Sequence, residues 1–209
     1  MKIGILGAGN LGSAIARRLL GHKHQVLLSF ARDETAMTAF AASIGAQSGR
    51  PSDAARFGDV LILAAPWTAV PDALSQAGAL DGKIIWDCTN PLNADLTGLL
   101  LGTTTSAGEE VARMAPTANV VKAIPPFAEL LQDADIARDR PRPSTFVCGD
   151  DATAKRIVSE LLELLGAEAV DSGPLSAARF AEPAGMLLVH LAYKQGLGGR
   201  IGTSLLRFP

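Results

Sequence analysis

The chain alternates short apolar runs with amphipathic stretches. Residues 2–7 (KIGILG) are apolar without a period of two, as expected of a strand buried on both faces. Residues 10–21 follow at helical spacing, with Leu11, Ala14, Ile15 and Leu19 on one face and Gly21 as the stop. Residues 24–30 (HQVLLSF) predict a second strand, and Asp33 opens a helix that Gly45 ends. A short helix is predicted over 52–57, behind Pro51. Residues 59–66 (DVLILAAP) carry the plainest strand signal. A helix over 69–78 follows, in which Pro71 falls in the tolerant first turn. Next come a strand and its exit turn over 83–91, a helix opened by a capping box from Ser106 to Glu109, and a strand over 119–125.

The segment 125–143 holds four prolines and several charges, and predicts a loop with one helical turn. Strands over 144–150 and 167–173 flank an amphipathic helix capped by Asp150 or Asp151. Residues 176–198 read as a helix that is apolar on more than one face and interrupted by Pro183. Such a helix is buried, against its own domain or across a dimer interface.

This alternation predicts an α/β fold: a Rossmann-type, doubly wound, mostly parallel sheet with helices on both faces. One dinucleotide-binding domain is expected over 1–209. Its core spans 1–123, and a C-terminal extension of two strands and two helices spans 124–209.

Composition supports this picture and removes some partners. Apolar residues at 48% against 19% charged supply a large core and argue against disorder. The net charge of -2, without a basic run, excludes nucleic acid as an expected partner. No apolar stretch approaches the roughly 18 residues of a membrane span. The N-terminus begins like an export signal, but its glycines and Asn10 break the apolar run, so a cytoplasmic location is expected. Cys88 and Cys148 lie far apart within strand-like runs and read as buried thiols; no metal site is expected.

The first turn, GAGNLG, carries the chemistry. Gly7 permits the tight exit from the strand, Gly9 lets the backbone approach a pyrophosphate, and Gly12 lets the helix pack close to the sheet. The helix start then offers free N–H groups and the positive end of its dipole to phosphates. At the end of the second strand an acid often accepts from ribose hydroxyls. Here Ser29, Phe30, Ala31 and Arg32 stand instead. A carboxylate would repel a 2′-phosphate, whereas a guanidinium grips it, so the expected ligand is NADP(H), held by Arg32 with help from Ser29.

Several stretches together resemble the NADP oxidoreductases that act on the deazaflavin coenzyme F420. The cytosolic NADPH-binding domain of the six-transmembrane ferric reductases is a relative. The matching stretches are MKIGILGAGNLGSAIARRL, VLLSFARDE, DVLILAAPWTAVPDAL, GKIIWDCTNPL, NVVKA, the region from VCGDDATAK to VDSGPLSAARFAEP, and the tail GLGG. They run over nearly the full length, and the CTNPL turn and the GDDATAK to FAEP region are the most specific. The resemblance implies that Gly7, Ala8, Gly9, Asn10 and Leu11 line the pyrophosphate and that Arg32 holds the 2′-phosphate. It further implies that Ala65, Pro66, Trp67, Thr89, Asn90, Pro91, Lys122, Ala123 and Ile124 lie at strand ends on the crevice side, the last three flanking the nicotinamide. Two positions depart from the family pattern: Ala31 replaces the Ser usually found before Arg, and Ile124-Pro125-Pro126 replaces Phe-Asn-Thr.

The implied activity is hydride transfer between NADPH and a small-molecule redox acceptor, a deazaflavin (coenzyme F420) or a flavin. Hydride transfer between two bound heterocycles needs little acid–base help, so no catalytic side chain is expected. A non-catalytic NADP(H)-binding sensor is the competing reading. His22 and His24 read as turn residues, and His190 as a core or interface histidine. Glu182 has no assigned role. Trp67 either stacks near the nicotinamide or packs at the loop base. Imine, proline-type and 3-hydroxyacid reductases begin with similar turns but add a large helical domain. Here the substrate is expected over the nicotinamide of this one domain, closed by a second subunit in a homodimer.

Overall fold

The computed structural model describes residues 1–132 and 141–208. Eight strands form one sheet in the order β3-β2-β1-β4-β5-β6-β7-β8. In chain order they are β1 (Lys2–Leu6), β2 (Gln25–Ser29), β3 (Gln47–Ser48), β4 (Val60–Leu63), β5 (Ile84–Asp87), β6 (Asn119–Lys122), β7 (Ser144–Gly149) and β8 (Glu168–Asp171). All neighbours pair in parallel except β6 and β7. The helices are α1 (Asn10–Gly21), α2 (Glu34–Ile44), α3 (Pro51–Phe57), α4 (Val70–Ala77), α5 (Ala107–Met114), α6 (Ala128–Leu131), α7 (Ala152–Leu164) and α8 (Ala178–Val189).

The unbroken apolar runs are explained by burial on both faces. Ile3, Ile5, Val26, Leu28, Val60 and Ile62 point to one side, where Ile15 and Leu19 of α1, Met37 of α2 and Val158 and Leu162 of α7 meet them. Leu27, Leu61, Leu63 and Ile85 point to the other, against Ala54 of α3, Val70 and Leu74 of α4 and Val111 of α5. Each large aliphatic side chain so covered contributes about 1.5–3 kcal/mol relative to exposure. Rossmann-type doubly wound topology is therefore what the sequence pattern predicts, and the sheet extends without a break through β7 and β8.

The structure adds and corrects details. β3 is a two-residue edge strand with too little apolar content to read in the sequence. Asp151, not Asp150, caps α7 by accepting from the Ala154 N–H at 2.7 Å; Asp150 instead accepts from the Leu175 N–H. The helical turn expected within 125–143 is α6; the part of that predicted loop over 133–140 lies outside the described residues. Pro183 does not interrupt α8, which runs through it and closes in a π-helical turn over His190–Lys194. Proline removes one helical hydrogen bond, and α8 is pinned in the turn just before it: Arg179 grips Glu109 of α5 through two hydrogen bonds, and Glu182 is anchored in the interior. Nor is α8 buried all round against its own chain: Phe180 is 79% exposed and Leu187 56%.

Candidate functional site

The chain moves from β1 toward β3 on one side and from β4 toward β6 on the other, so the strand order reverses between β1 and β4. Open α/β sheets bind ligands at such a point, outside the carboxyl ends of the strands. A cleft of about 1770 Å³ lies there and follows the strand ends from the β2–α2 turn to the β6–α6 turn.

The three glycines of the first turn have three separate causes. Gly7 sits at φ +114°, and a Cβ there would meet the backbone of Ala64 and Ala65 at 2.6 Å. A Cβ on Gly12 would come within 1.9 Å of the Gly7 carbonyl oxygen, so that glycine is required by the contact of helix and turn. At Gly9 an added Cβ would meet nothing within 4 Å. The fold makes no demand for glycine at position 9; open space in front of an α-helix N-terminus is what a pyrophosphate needs. Gly9 is also the N-terminal flanking residue of α1 and brings no side-chain cap, leaving the first N–H groups directed to the cleft.

The turn after β2 holds Phe30 in the left-handed region, at φ +58°. For a bulky residue this conformation costs on the order of 1 kcal/mol. It is stabilised by the Ala8 N–H, which donates to the Phe30 carbonyl at 3.3 Å, and by the Gly7 N–H, which donates to the Ser29 carbonyl at 3.0 Å. The bend delivers Arg32 to the cleft wall with its side chain exposed. Asp33, the nearest acid, is engaged in capping α2 through the Ala36 N–H at 2.9 Å. Among the described residues no carboxylate pairs with Arg32. Arg50, at the turn into α3, lines the same wall. Sequence reasoning missed Arg50 because only the sheet order brings β3 beside β2.

Of the residues expected at the site, Gly7, Ala8, Gly9, Asn10, Leu11, Arg32, Ala65, Pro66, Trp67, Asn90 and Ile124 line the cleft, and Thr89 joins them. Four others do not. Ser29 is fully buried and its hydroxyl donates to the Ile5 carbonyl at 2.8 Å, so it does not face a phosphate. Gly12 is buried under the turn, and Pro91 is buried behind Asn90. Ala123 is turned into the core and its carbonyl accepts from the Trp86 indole at 2.8 Å. Trp67 is half-buried: it packs on the apolar cluster beneath α4, the loop-base role, and also borders the cleft.

Lys122 is also displaced from its expected place. It does not flank the crevice but lies wholly buried, ion-paired with Asp87 at 2.7 Å and Glu182 at 3.2 Å, and donates to the Thr89 carbonyl at 2.8 Å. Burial pulls its pKa down, but the charges of Asp87 and Glu182 outweigh this and hold it above the usual lysine value. Glu182 accepts from the Ala107 and Gly108 N–H groups at 2.9 and 3.0 Å, the first turn of α5, where a negative charge is favoured by the helix dipole. Asn90 Nδ2 donates to the Glu182 carbonyl at 3.2 Å. The one sequence signal for this network was the acid beside Pro183 in an otherwise apolar helix.

Toward Ile124 the cleft wall becomes apolar, built from Pro125, Pro126, Ala184, Gly185 and Leu188. Cys88 also borders it, and burial raises its thiol pKa well above the ordinary value.

Comparison with known proteins agrees with this geometry. Residues 2–91 match the family described as NADP oxidoreductase, coenzyme F420-dependent. A crystal structure from Arthrobacter sp. FB24, provisionally assigned as an F420-dependent NADP reductase, superposes with a TM-score of 0.87 at 29% identity, over 99% of this chain and 100% of that one. A hypothetical protein from Sinorhizobium meliloti superposes with a TM-score of 0.76 at 26% identity, over 100% of this chain and 96% of the other. The metalloreductase STEAP3 of Rattus norvegicus is 30% identical over 181 residues, which are 87% of this chain and 36% of that protein. The chain thus spans about a third of the length of this curated relative.

Proposed function

We propose that the chain, which matches the coenzyme F420-dependent NADP oxidoreductase family over residues 2–91, acts as a member of that family: it binds NADPH and exchanges hydride with a flat heterocyclic acceptor. The acceptor is a deazaflavin such as coenzyme F420, or a flavin. In the reducing direction NADPH, a proton and the oxidised acceptor give NADP⁺ and the two-electron-reduced acceptor.

The observation that carries this reading is the continuity of the cleft. Arg32 and Arg50 stand at its β2–β3 end, the open glycine and the α1 N-terminus follow, and an apolar floor around Ile124 lies at the far end. The residues fit the dinucleotide: cationic where a 2′-phosphate would be, free of side chains where a pyrophosphate would be, and apolar where two rings would stack. NADPH, when bound, supplies the hydride. The chain's own part is to orient the rings and keep water from the apolar end. A homodimer in which the exposed apolar side of α8 meets a second copy would complete that exclusion, since Leu187 and Leu188 of this helix border the cleft.

Titration calorimetry with NADPH and NADH, followed by an acceptor panel monitored through loss of reduced-nicotinamide absorbance, tests the proposal. Preferential binding of NADPH and turnover with a deazaflavin or flavin are expected. Binding without oxidation by any deazaflavin, flavin or quinone would convert the protein into an NADP(H) sensor.

A further inference from the structure

We propose that Glu129, held by the Tyr193 hydroxyl, accepts a hydrogen bond from a ring N–H of the hydride acceptor and so selects a heterocycle with an imide or lactam edge over a quinone. This rests on the hydride-transfer reading above and deepens it by naming the edge of the acceptor that the chain reads. Beyond Ile124 the chain runs along the cleft through Pro125, Pro126, Phe127 and Ala128. None of these has a side chain that can hydrogen-bond, and the two prolines have no main-chain N–H either. Glu129, the next residue, stands in the short helix α6, is exposed and lines the cleft. It is the first side chain past Ile124 that can hydrogen-bond on this stretch of wall.

The carboxylate is held from two sides. Tyr193, in the π-helical turn that closes α8, also lines the cleft and donates its hydroxyl to Glu129 Oε1 at 3.2 Å. Its ring meets Phe127 edge-on, with centroids 5.7 Å apart and planes at 77°. On the other side the chain at Gly199 passes so close that a Cβ there would lie 2.6 Å from Glu129 Cδ and Oε2, and any other residue would displace the carboxylate. Burial, and after it the Glu129 charge, raise the Tyr193 pKa, so the phenol keeps its proton and goes on donating. An ionised carboxylate only accepts, and the Tyr193 proton is committed to it. Toward a ligand the pair therefore offers lone pairs alone. Such a pair is matched by an N–H and opposed by the carbonyl oxygens of a quinone. The position agrees: with the dinucleotide running from Arg32 past the α1 N-terminus, its nicotinamide lies toward Ile124, and a ring stacked on it extends toward α6.

Fluorescence titration of the NADP⁺-saturated protein with lumiflavin and 3-methyllumiflavin tests the assignment, since the two flavins differ only at the imide N–H. Wild type is expected to bind lumiflavin about tenfold more tightly, the worth of one hydrogen bond to an exposed charged group. Glu129→Ala should abolish that preference by weakening lumiflavin alone, and an unchanged affinity for NADP⁺ shows that the variant is folded. Equal binding of the two flavins by wild type overturns the assignment, requires no variant to fold and leaves the flat-ring acceptor reading standing. A preference that survives in Glu129→Ala overturns the assignment as well, because the methyl group is then excluded by shape. Failure of both flavins to bind the NADP⁺-saturated protein would overturn the flat-ring acceptor reading itself, and the assignment with it.

Discussion

Lys122 and Glu182 meet at 3.2 Å where neither side chain reaches solvent, and this pair joins the sheet to α5 and α8 at the edge of the cleft. Removing one partner leaves buried charge uncompensated. Lys122→Met is expected to cost about 3–5 kcal/mol in unfolding free energy, because Asp87 and Glu182 would then face each other without a cation. The pKa of Lys122 is raised on folding, so its contribution is fully present below the unfolded value near 10.4 and is lost as pH rises through the folded value. Chemical denaturation of wild type should show a fall in stability in this alkaline range, and Lys122→Met should show a smaller one.

The three glycines of the first turn separate folding from binding. Gly12→Ala places a Cβ 1.9 Å from the Gly7 carbonyl and should lower the thermal midpoint. Gly9→Ala meets no protein atom within 4 Å and should leave the unfolding free energy within about 0.5 kcal/mol of wild type while weakening NADPH at least about tenfold. Calorimetric unfolding and ligand titration on the same two variants give the comparison. Equal loss of affinity and stability at Gly9 would contradict the explanation given for it.

Arg32 is expected to set the choice of dinucleotide. Charge-assisted hydrogen bonds contribute about 1.5–3 kcal/mol each, so Arg32→Ala should weaken NADPH about 30-fold and leave NADH nearly unchanged. Arg50, on the same wall, should contribute a smaller share, about threefold to tenfold, that declines with added salt. Titrations at low and high ionic strength distinguish the two. A preference for NADPH that persists in the double variant would remove the cationic end from the explanation.

The sheet, its strand direction and the glycine turn were legible because each depends on local pattern: apolar runs of strand length, helical spacing and a turn at the chain's start. The buried polar contacts around the site were less legible. Ser29 and Lys122 carry polar groups that sequence reasoning directed to the ligand, yet both are buried and satisfied by Ile5, Asp87 and Glu182, partners distant along the chain. Glu182 and Gly185 matter only because α8 returns across the β5 and β6 ends, and no local pattern announces that return. β3 escaped notice since two residues cannot show a period.

The two thiols should be inert in the folded protein. Burial raises the Cys148 pKa to about 11, and it raises that of Cys88 well above the ordinary value even though this residue borders the cleft. Alkylation rates depend on thiolate, so at pH 8 both should react at least about a hundredfold more slowly than a free cysteine. Mass spectrometry after timed exposure to iodoacetamide should show unmodified native protein and two modified sites after denaturation. Rapid native labelling of Cys88 would show that the cleft floor opens to solvent.

Phe180 is 79% exposed and Leu187 56%, seven positions apart on one side of α8, which is more apolar surface than a helix normally leaves in water. A second copy that covers this side would explain both residues and would also seal the cleft, because Leu187 borders it while Phe180 lies two turns earlier in the helix. Phe180→Asp with Leu187→Asp should then shift the protein from dimer to monomer in sedimentation velocity. The fold should persist, since neither side chain contributes to the buried core. The charged pair should also slow hydride transfer more than it weakens adenosine 2′,5′-bisphosphate, which on the proposed reading would bind at the distant Arg32 end. A wild-type protein that sediments as a monomer at micromolar concentration, with full turnover, would show that the exposed side serves neither assembly nor the reaction.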